Sequence, residues 1–294
     1  MLNQTFRDLE LIVVDDGSTD NTGGVVEDFS RKDSRVKYVW QSNFGGPAGP
    51  RNTGIRHAMG QYIAFLDSDD EWMPTKIEEQ VKLLENSSPD TGFVGCDYLL
   101  KTGTMVAEYK LPRLKEDTVF EKLLEHDFIG TATIIMIKKS VLEDVGGYDE
   151  RLKCSEDTDL WLRIAEKYRF ALAENFLATY YAHGNNTLLR FNPLDLAEST
   201  ESVLKKHIPS CEKHPKSYSR RLRQVAANFC TGGELTKGRS YYVQSIRFDP
   251  INLKAWYSLL ATFVLGKLAF SIVARLKPQL RHRLRFKLHW NMKP

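Results

Sequence analysis

The chain has 294 residues, of which 42% are hydrophobic and 27% are charged, and its formal net charge is +3. This size and composition predict one large or two medium globular domains with a sizeable core, and they exclude a wholly disordered or fibrous chain. The four cysteines have no CxxC spacing: Cys96, Cys154, Cys211 and Cys230. They predict neither a disulfide framework nor a zinc site, which favours a reducing compartment.

Apolar runs alternate with amphipathic segments over the first hundred residues. Five runs predict strands: residues 10–15, 36–40, 61–67, 93–100 and 131–139. Helices are predicted after the turn at Asp20, around 51–59, and around 73–86 with Pro74 in the first turn. Strands that alternate with helices in this way indicate an α/β protein with a parallel sheet.

Two of the predicted strands end in acid-rich loops. Asp15 and Asp16 follow the first strand, and the run Asp67-Ser68-Asp69-Asp70 follows the third. Ligands of open α/β sheets bind outside the carboxyl ends of the strands, so we expect both loops to face one crevice. The Asp-x-Asp pair suits a hard cation such as Mg²⁺ or Mn²⁺. On residue type alone, such a pair is more often a solvated acidic turn than a metal site, and that alternative stays open.

An amphipathic helix is predicted over residues 156–168, with Glu156 and Asp157 at its positive N-terminus. This acidic pair is typical of a helix cap as well as of a catalytic site. Beyond residues 180–187 the chain is predicted to be helical. Residues 242–266 in particular predict two helices around an Asp-Pro turn.

Basic residues concentrate at the C-terminal end. From Pro250 onward there are nine lysines and arginines and no acid: Lys254, Lys267, Arg275, Lys277, Arg281, Arg283, Arg285, Lys287 and Lys293. Such a tail predicts attraction to phosphates, of either lipid or nucleic acid. The apolar stretch 255–274 is interrupted by Lys267, so a helix packed on its predecessor, a helix lying on anionic lipid and a membrane span all remain open.

Four motifs occur in order: VVDDGSTDNT, GPAGPRNTGI, YIAFLDSDDEW and GGYDERLKCSEDTDLWLR. This series closely resembles family 2 glycosyltransferases of the GT-A fold. The resemblance implies an α/β GT-A domain over residues 1–190, with a mostly parallel sheet flanked by helices. A helical C-terminal region with a basic tail is expected over 191–294. Members of the family usually open with a further strand, so the domain is expected to lack its N-terminal strand.

The resemblance also implies roles for individual residues. Asp15 and Asp16 match the acids that bind the nucleotide base, Arg51 matches an arginine beside the nucleotide and diphosphate, and Asp67 matches an acid near the ribose. Asp157 matches the catalytic base. The metal-binding residues implied are Asp69 and His183; on general grounds His183 is equally typical of a hydrogen-bonded histidine at a strand end.

The activity implied is transfer of a hexose, with inversion, from a nucleoside diphosphate sugar such as a UDP-sugar to a glycan or lipid-linked acceptor. Mn²⁺ or Mg²⁺ would assist. The expected place is the cytoplasm, with peripheral contact between the basic tail and the inner face of the cell membrane, in polysaccharide biosynthesis. No nucleic acid partner is expected. The alternative is a truncated, non-catalytic scaffold that binds a partner or membrane but no nucleotide sugar.

Overall fold

The structure is a computed structural model that describes residues 1–183 and 192–264. The chain divides into two compact units, residues 1–183 and residues 184–294. The first unit alternates strands and helices, and the described part of the second is entirely helical. This architecture confirms the predicted α/β class with a helical C-terminal region.

The first unit contains eight strands and six α-helices among its described residues. In chain order they are β1 Leu11–Asp16, α1 Thr22–Lys32, β2 Val36–Gln41, α2 Ala48–His57, β3 Tyr62–Ala64, β4 Glu71–Trp72, α3 Lys76–Asn86, β5 Thr91–Thr102, β6 Met105–Tyr109, α4 Val119–Glu125, β7 Met136–Lys138, α5 Lys139–Val145, α6 Glu156–Ala165 and β8 Arg169–Tyr181. Short 3-10 helices occupy Glu116–Thr118 and Ala132–Ile134.

The strands form two sheets. β1 and β2 pair in parallel as a two-stranded sheet, and the larger sheet has the order β3-β7-β5-β8-β4 with β6 paired to β5. The two longest ladders, β1 with β2 and β5 with β8, are parallel. The other pairings are shorter and antiparallel, so the larger sheet is mixed. The expectation that the domain lacks the strand with which family members usually open stays a prediction.

One predicted strand was too long. Residues 131–139 contain the 3-10 helix before the three-residue strand β7. The cause is local, because the Thr131 side chain accepts a hydrogen bond from the Thr133 backbone N–H and so stabilises a turn where a strand was expected. The β-branched residues of this stretch are nevertheless buried, as a strand would bury them.

The packing of α3 against the larger sheet fixes the ends of the strands. Ile77, Val81 and Leu84 recur at helical spacing and pack on Val94 of β5 and Met136 of β7. These buried side chains anchor α3 on the sheet. The loop that leads from β3 toward α3 is therefore tied to the sheet at both of its ends. That loop carries the acidic residues 67–70.

The second unit consists of helices in its described residues: α7 Pro193–Lys206, α8 Ile208–Cys211, α9 Pro215–Thr231, α10 Leu235–Phe248 and α11 Leu253–Val264. The Asp-Pro turn lies between α10 and α11, as predicted. Gly238 permits close approach of α10 to α9, because a Cβ there would overlap Cys230 Sγ. None of the helices in residues 192–264 is long and apolar enough to cross a membrane. The basic residues from Lys267 onward lie outside the described residues.

Candidate active site

Arg51 is the centre of a buried charge cluster. It lies in α2, whose start follows the glycine- and proline-rich loop, and its side chain is 13% exposed. The guanidinium donates to Asp157 Oδ1 at 2.8 Å, to Asp67 Oδ1 at 2.9 Å and to Glu156 Oε1 at 3.3 Å. The Arg51 guanidinium thus brings three acidic residues together. Asp157, the most distant of them in sequence, is 106 residues from Arg51.

The three acidic residues that contact Arg51 come from two separate places in the fold. Asp67 follows β3, and Glu156 and Asp157 occupy the first turn of α6. Ser155, at the N-cap of α6, has a left-handed backbone with φ of 64°, which is unique among the non-glycine residues that the structure describes. A non-glycine residue in this region costs about 1–3 kcal/mol, and such strain concentrates at functional sites.

Sharing one cation among three carboxylates changes the proton affinity of the cluster. Burial raises the pKa of Asp157; Arg51 opposes the rise, and the neighbouring Glu156 carboxylate adds to it. Burial likewise raises the pKa of Glu156. The three carboxylates hold the pKa of Arg51 well above its ordinary value against the effect of burial. A carboxylate with a raised pKa accepts a proton more readily, which suits a general base.

Replacement of Arg51, whose guanidinium is shared by the three carboxylates, is expected to destabilise the first unit in a pH-dependent way. Arg51→Met leaves the carboxylates without their partner, so the folded-state pKa values of Glu156 and Asp157, which burial already raises, rise further above the unfolded ones. Stability then falls as pH rises, because the folded state retains protons that the unfolded state releases. Near pH 4 the variant and the parent should unfold similarly; near pH 8 the deficit should approach the ~3–5 kcal/mol of a broken buried pair. Urea unfolding at several pH values measures it, and a pH-independent deficit would contradict the shared-cation geometry.

Tyr148 is a component of the cluster that sequence analysis missed. Its ring lies under Arg51, with 5.3 Å between the guanidinium carbon and the ring centroid, and meets Phe65 edge-on at 5.5 Å. Its hydroxyl is buried with no hydrogen-bond partner among the described residues. The only signal in the sequence is its place within the GGYDE segment. A cation over an aromatic face is attracted to it, so the ring helps to hold Arg51 in place.

Asp69 and His183 form a second pair. His183 Nε2 lies 2.9 Å from Asp69 Oδ2, and both side chains are partly exposed. Asp69 comes from the loop after β3, and His183 comes two residues after the end of β8. Imidazole and carboxylate are suitable ligands for Mn²⁺, and Asp69 alone suits Mg²⁺. Residues 1–183 and 192–264 contain no group of three metal-binding side chains.

Asp70 fixes the acidic loop against the sheet. Its buried carboxylate accepts hydrogen bonds from Thr133 Oγ1 at 2.5 Å and from the Tyr181 backbone N–H at 3.0 Å. The Thr133 hydroxyl oxygen in turn accepts from the Asp67 backbone N–H at 3.2 Å. Burial raises the pKa of Asp70 to about 6. Sequence analysis assigned no role to Asp70 or Thr133, since their pairing joins segments 63 residues apart.

Loss of the Thr133 hydroxyl is expected to lower the stability of the first unit. Thr133→Val preserves the shape of the side chain but leaves the buried Asp70 carboxylate short of a donor, at a cost of about 1–3 kcal/mol. Chemical denaturation measures this change. Thr133→Ser is the matched control, because it retains the hydroxyl. Thr133→Ser also loses a buried methyl group, so parent-like stability of Thr133→Val is the result that would show that the hydrogen bond contributes nothing.

Asp15 and Asp16 lie at the end of β1 and have partners of their own. Asp15 accepts from Tyr38 Oη at 2.6 Å, and this hydrogen bond lowers the pKa of Asp15. Asp16 accepts from Gln41 Nε2 at 2.5 Å. Gln41 Oε1 accepts from Thr53 of α2 at 2.6 Å, so a chain of hydrogen bonds joins Asp16 to the helix that carries Arg51.

The match to a known family covers part of this site. A family model described as Glycosyl transferase family 2 matches residues 1–146, which include Asp15, Asp16, Arg51, Asp67 and Asp69. Over 180 residues the chain is 32% identical to the Escherichia coli UDP-Glc:alpha-D-GlcNAc-diphosphoundecaprenol beta-1,3-glucosyltransferase WfaP, spanning 61% of this chain and 68% of WfaP. The chain belongs to glycosyl transferase family 2. Across three curated relatives, it spans 62–73% of their length.

Two solved structures share the fold of this chain. Staphylococcus aureus TarS 1–349 in complex with UDP matches with a TM-score of 0.60 and 16% identity, over 90% of this chain and 85% of that one. The mannosyltransferase PcManGT from Pyrobaculum calidifontis, in complex with GDP-Man and Mn²⁺, matches with a TM-score of 0.56 and 19% identity, over 94% of this chain and 79% of that one. The GT-A glycosyltransferase fold expected from the motifs is thereby confirmed.

Proposed function

We propose that this family 2 member transfers a hexose from a nucleoside diphosphate sugar to an acceptor hydroxyl, with inversion. The observation that carries the proposal is the meeting of Asp67, Glu156 and Asp157 on Arg51. A partly buried base candidate and a partly buried guanidinium lie in direct contact there. The guanidinium can donate hydrogen bonds to a diphosphate, and the carboxylate can accept a proton from a hydroxyl.

Asp157 acts as the base in the transfer step. As the acceptor oxygen bonds to the anomeric carbon, the bond between that carbon and the diphosphate oxygen breaks. The acceptor proton passes to Asp157, and the nucleoside diphosphate leaves with the bonding electrons. Attack from the face opposite the leaving group inverts the anomeric centre in one displacement. No second catalytic carboxylate of the kind that a retaining glycosidase uses is then required.

Arg51 exchanges partners when the donor binds. In the free chain its charge is matched by carboxylates, and a diphosphate competes for the same planar donors. Movement of the guanidinium toward the diphosphate would release Asp157 to accept a proton. Asp15 and Asp16 are assigned to the nucleotide base and Asp67 to the ribose side of the donor. Their positions, at the end of β1 and after β3, support this assignment.

Asp69 and His183 would hold Mn²⁺ or Mg²⁺ with the donor diphosphate. When bound, the cation supplies positive charge that stabilises the leaving diphosphate. Two side chains at 2.9 Å fit such a shared site, because a diphosphate brings further oxygen ligands. The Mn²⁺ in the PcManGT structure supports this assignment.

The donor proposed is a UDP-sugar, and the acceptor proposed is a glycan or lipid-linked glycan precursor in polysaccharide biosynthesis. WfaP, whose name gives UDP-Glc and a diphosphoundecaprenol acceptor, supports both choices. Residues 1–190 are proposed as the transferase domain and residues 191–294 as a helical region with a basic tail. The place proposed is the cytoplasm, at the inner face of the cell membrane, where the basic tail meets anionic lipid.

A transfer assay tests the proposal. The full chain is incubated with a panel of UDP- and GDP-sugars, Mn²⁺ or Mg²⁺, and a diphosphoundecaprenol-linked acceptor, and products are read by mass spectrometry. Sugar addition that requires a divalent cation is expected. The alternative, a non-catalytic scaffold, predicts that calorimetry detects no binding of any nucleotide sugar; that result would overturn the proposed function.

A further inference from the structure

Helix α11 has an apolar face that the fold leaves exposed. Only Ala255 and Thr262 are buried in this helix, and these residues are seven apart, on one side of it. The large apolar side chains recur on the opposite side at spacings of three, four and seven residues. These exposed side chains, hereafter the α11 face, are Leu253, Trp256, Tyr257, Leu260, Phe263 and Val264. The exposed fraction reaches 79% at Tyr257 and 81% at Val264.

The opposite side of α11 already anchors the helix. Arg239 of α10 donates to Thr262 Oγ1 at 2.9 Å and to the Thr262 carbonyl oxygen at 2.7 Å. Leu259 packs on the core formed by Ala226, Cys230 and Tyr242. The α11 face is therefore not needed to hold the helix in place. Contiguous exposed apolar side chains of this kind mark an interaction surface.

Two basic side chains of the described residues lie beside the α11 face, and the sequence that follows the helix is basic. Lys254 is exposed on the same helix, and the guanidinium carbon of Arg239 lies 4.2 Å from the centroid of the Phe263 ring. From residue 250 to the C-terminus the sequence has nine basic residues and no acid. Anionic lipid attracts each such residue by about 1 kcal/mol near the surface.

We propose that the α11 face lies on an anionic phospholipid bilayer, with Trp256 and Tyr257 at the boundary between headgroups and acyl chains. Rings of this kind prefer that boundary because one end is apolar and the other polar. A basic segment joined to an apolar helical face is the combination that binds a helix in the membrane plane. This inference rests on the proposed function, since a lipid-linked acceptor places the substrate at a bilayer. A second copy of the chain fits less well, because a stable interface takes about 20–30 residues on each side.

Vesicle binding of the full chain tests the proposal. Co-sedimentation with vesicles of phosphatidylcholine plus phosphatidylglycerol is compared for the parent and for the triple variant Tyr257→Ser, Leu260→Ser, Val264→Ser. We expect the variant's partition coefficient to fall by about tenfold or more, because a factor of ten corresponds to the burial of roughly one large apolar side chain. Met105→Ser with Val106→Ser is the matched control, as it removes exposed apolar side chains of the first unit and should bind as the parent does.

A second readout places the helix at the lipid. Fluorescence of the parent should be quenched by vesicles of brominated lipid, and Trp256→Phe should lose much of that quenching. Parent-like vesicle binding by the triple variant, or no binding by the parent, would overturn the proposal. So would a parent dimer that the triple variant converts to a monomer, because the α11 face would then belong to a second copy. Vesicle binding is measured without donor, so it can fail or succeed independently of sugar transfer.

Discussion

Replacing the Asp157 carboxylate by an amide is expected to lower turnover by about 10²–10⁴-fold, the usual contribution of a general base. Asp157→Asn keeps the size of the side chain and an oxygen that can accept from Arg51, so the cluster should remain assembled. Donor affinity should therefore change little. Steady-state transfer rates and calorimetric donor binding, measured on the same preparations, separate the two effects.

Glu156→Gln is the matched control for Asp157→Asn. Glu156 contacts the same guanidinium at the longer distance of 3.3 Å and should contribute far less to turnover. The raised pKa of Asp157 adds a pH test, because a base must be deprotonated to act. The parent's turnover should rise with pH until Asp157 is ionised, and the residual rate of Asp157→Asn should lack this rise. Equal losses in the two variants, or a loss of donor binding in Asp157→Asn, would place the base elsewhere.

Removing Asp69 is expected to abolish metal-dependent transfer. Asp69→Ala deletes the carboxylate that pairs with His183 at 2.9 Å, and with it one of the two side chains proposed to hold a cation beside the diphosphate. Calorimetry should show that UDP binding by this variant no longer responds to Mn²⁺. The measurement does not depend on knowing the donor sugar or the acceptor.

Asp28→Ala controls for the loss of one negative charge. Asp28 is an exposed acid on α1 whose partner is Arg31, three residues away. Its removal should leave the Mn²⁺ dependence of UDP binding intact. If Asp69→Ala retains the parent's Mn²⁺ dependence as well, the cation is held by other residues.

The end of β1 was predictable from the sequence because it combines two local signals, whereas the predicted strand 61–67 runs past the observed end of β3 at Ala64. A short apolar run such as 10–15 followed by acids and glycine indicates a strand that ends in a polar turn. β1 ends at Asp16 as this pattern requires, and Asp67 and Asp69 fall in the loop after β3. The order of the motifs then predicts that these acids belong to the site that binds the donor and its metal ion.

The pairing of the site's side chains could not be predicted in the same way. Arg51 and Asp157 are 106 residues apart, and no local pattern indicates that one guanidinium bonds three carboxylates. The Tyr148 ring beneath Arg51 and the Thr133–Asp70 hydrogen bond are likewise products of tertiary packing. Periodicity did predict α11, but a helical pattern does not say which apolar residues the fold will cover.

The anomeric configuration of the product is the most direct measurement of a single displacement with Asp157 as the base. The donor is an α-linked nucleoside diphosphate sugar that supports transfer. NMR of the product measures the coupling constant of the anomeric proton at the new glycosidic bond. Inversion predicts a β-linked product from the parent and the same β-linked product, formed far more slowly, from Asp157→Asn. An α-linked product would contradict the mechanism, because a single attack from the face opposite the leaving group cannot retain the anomeric configuration.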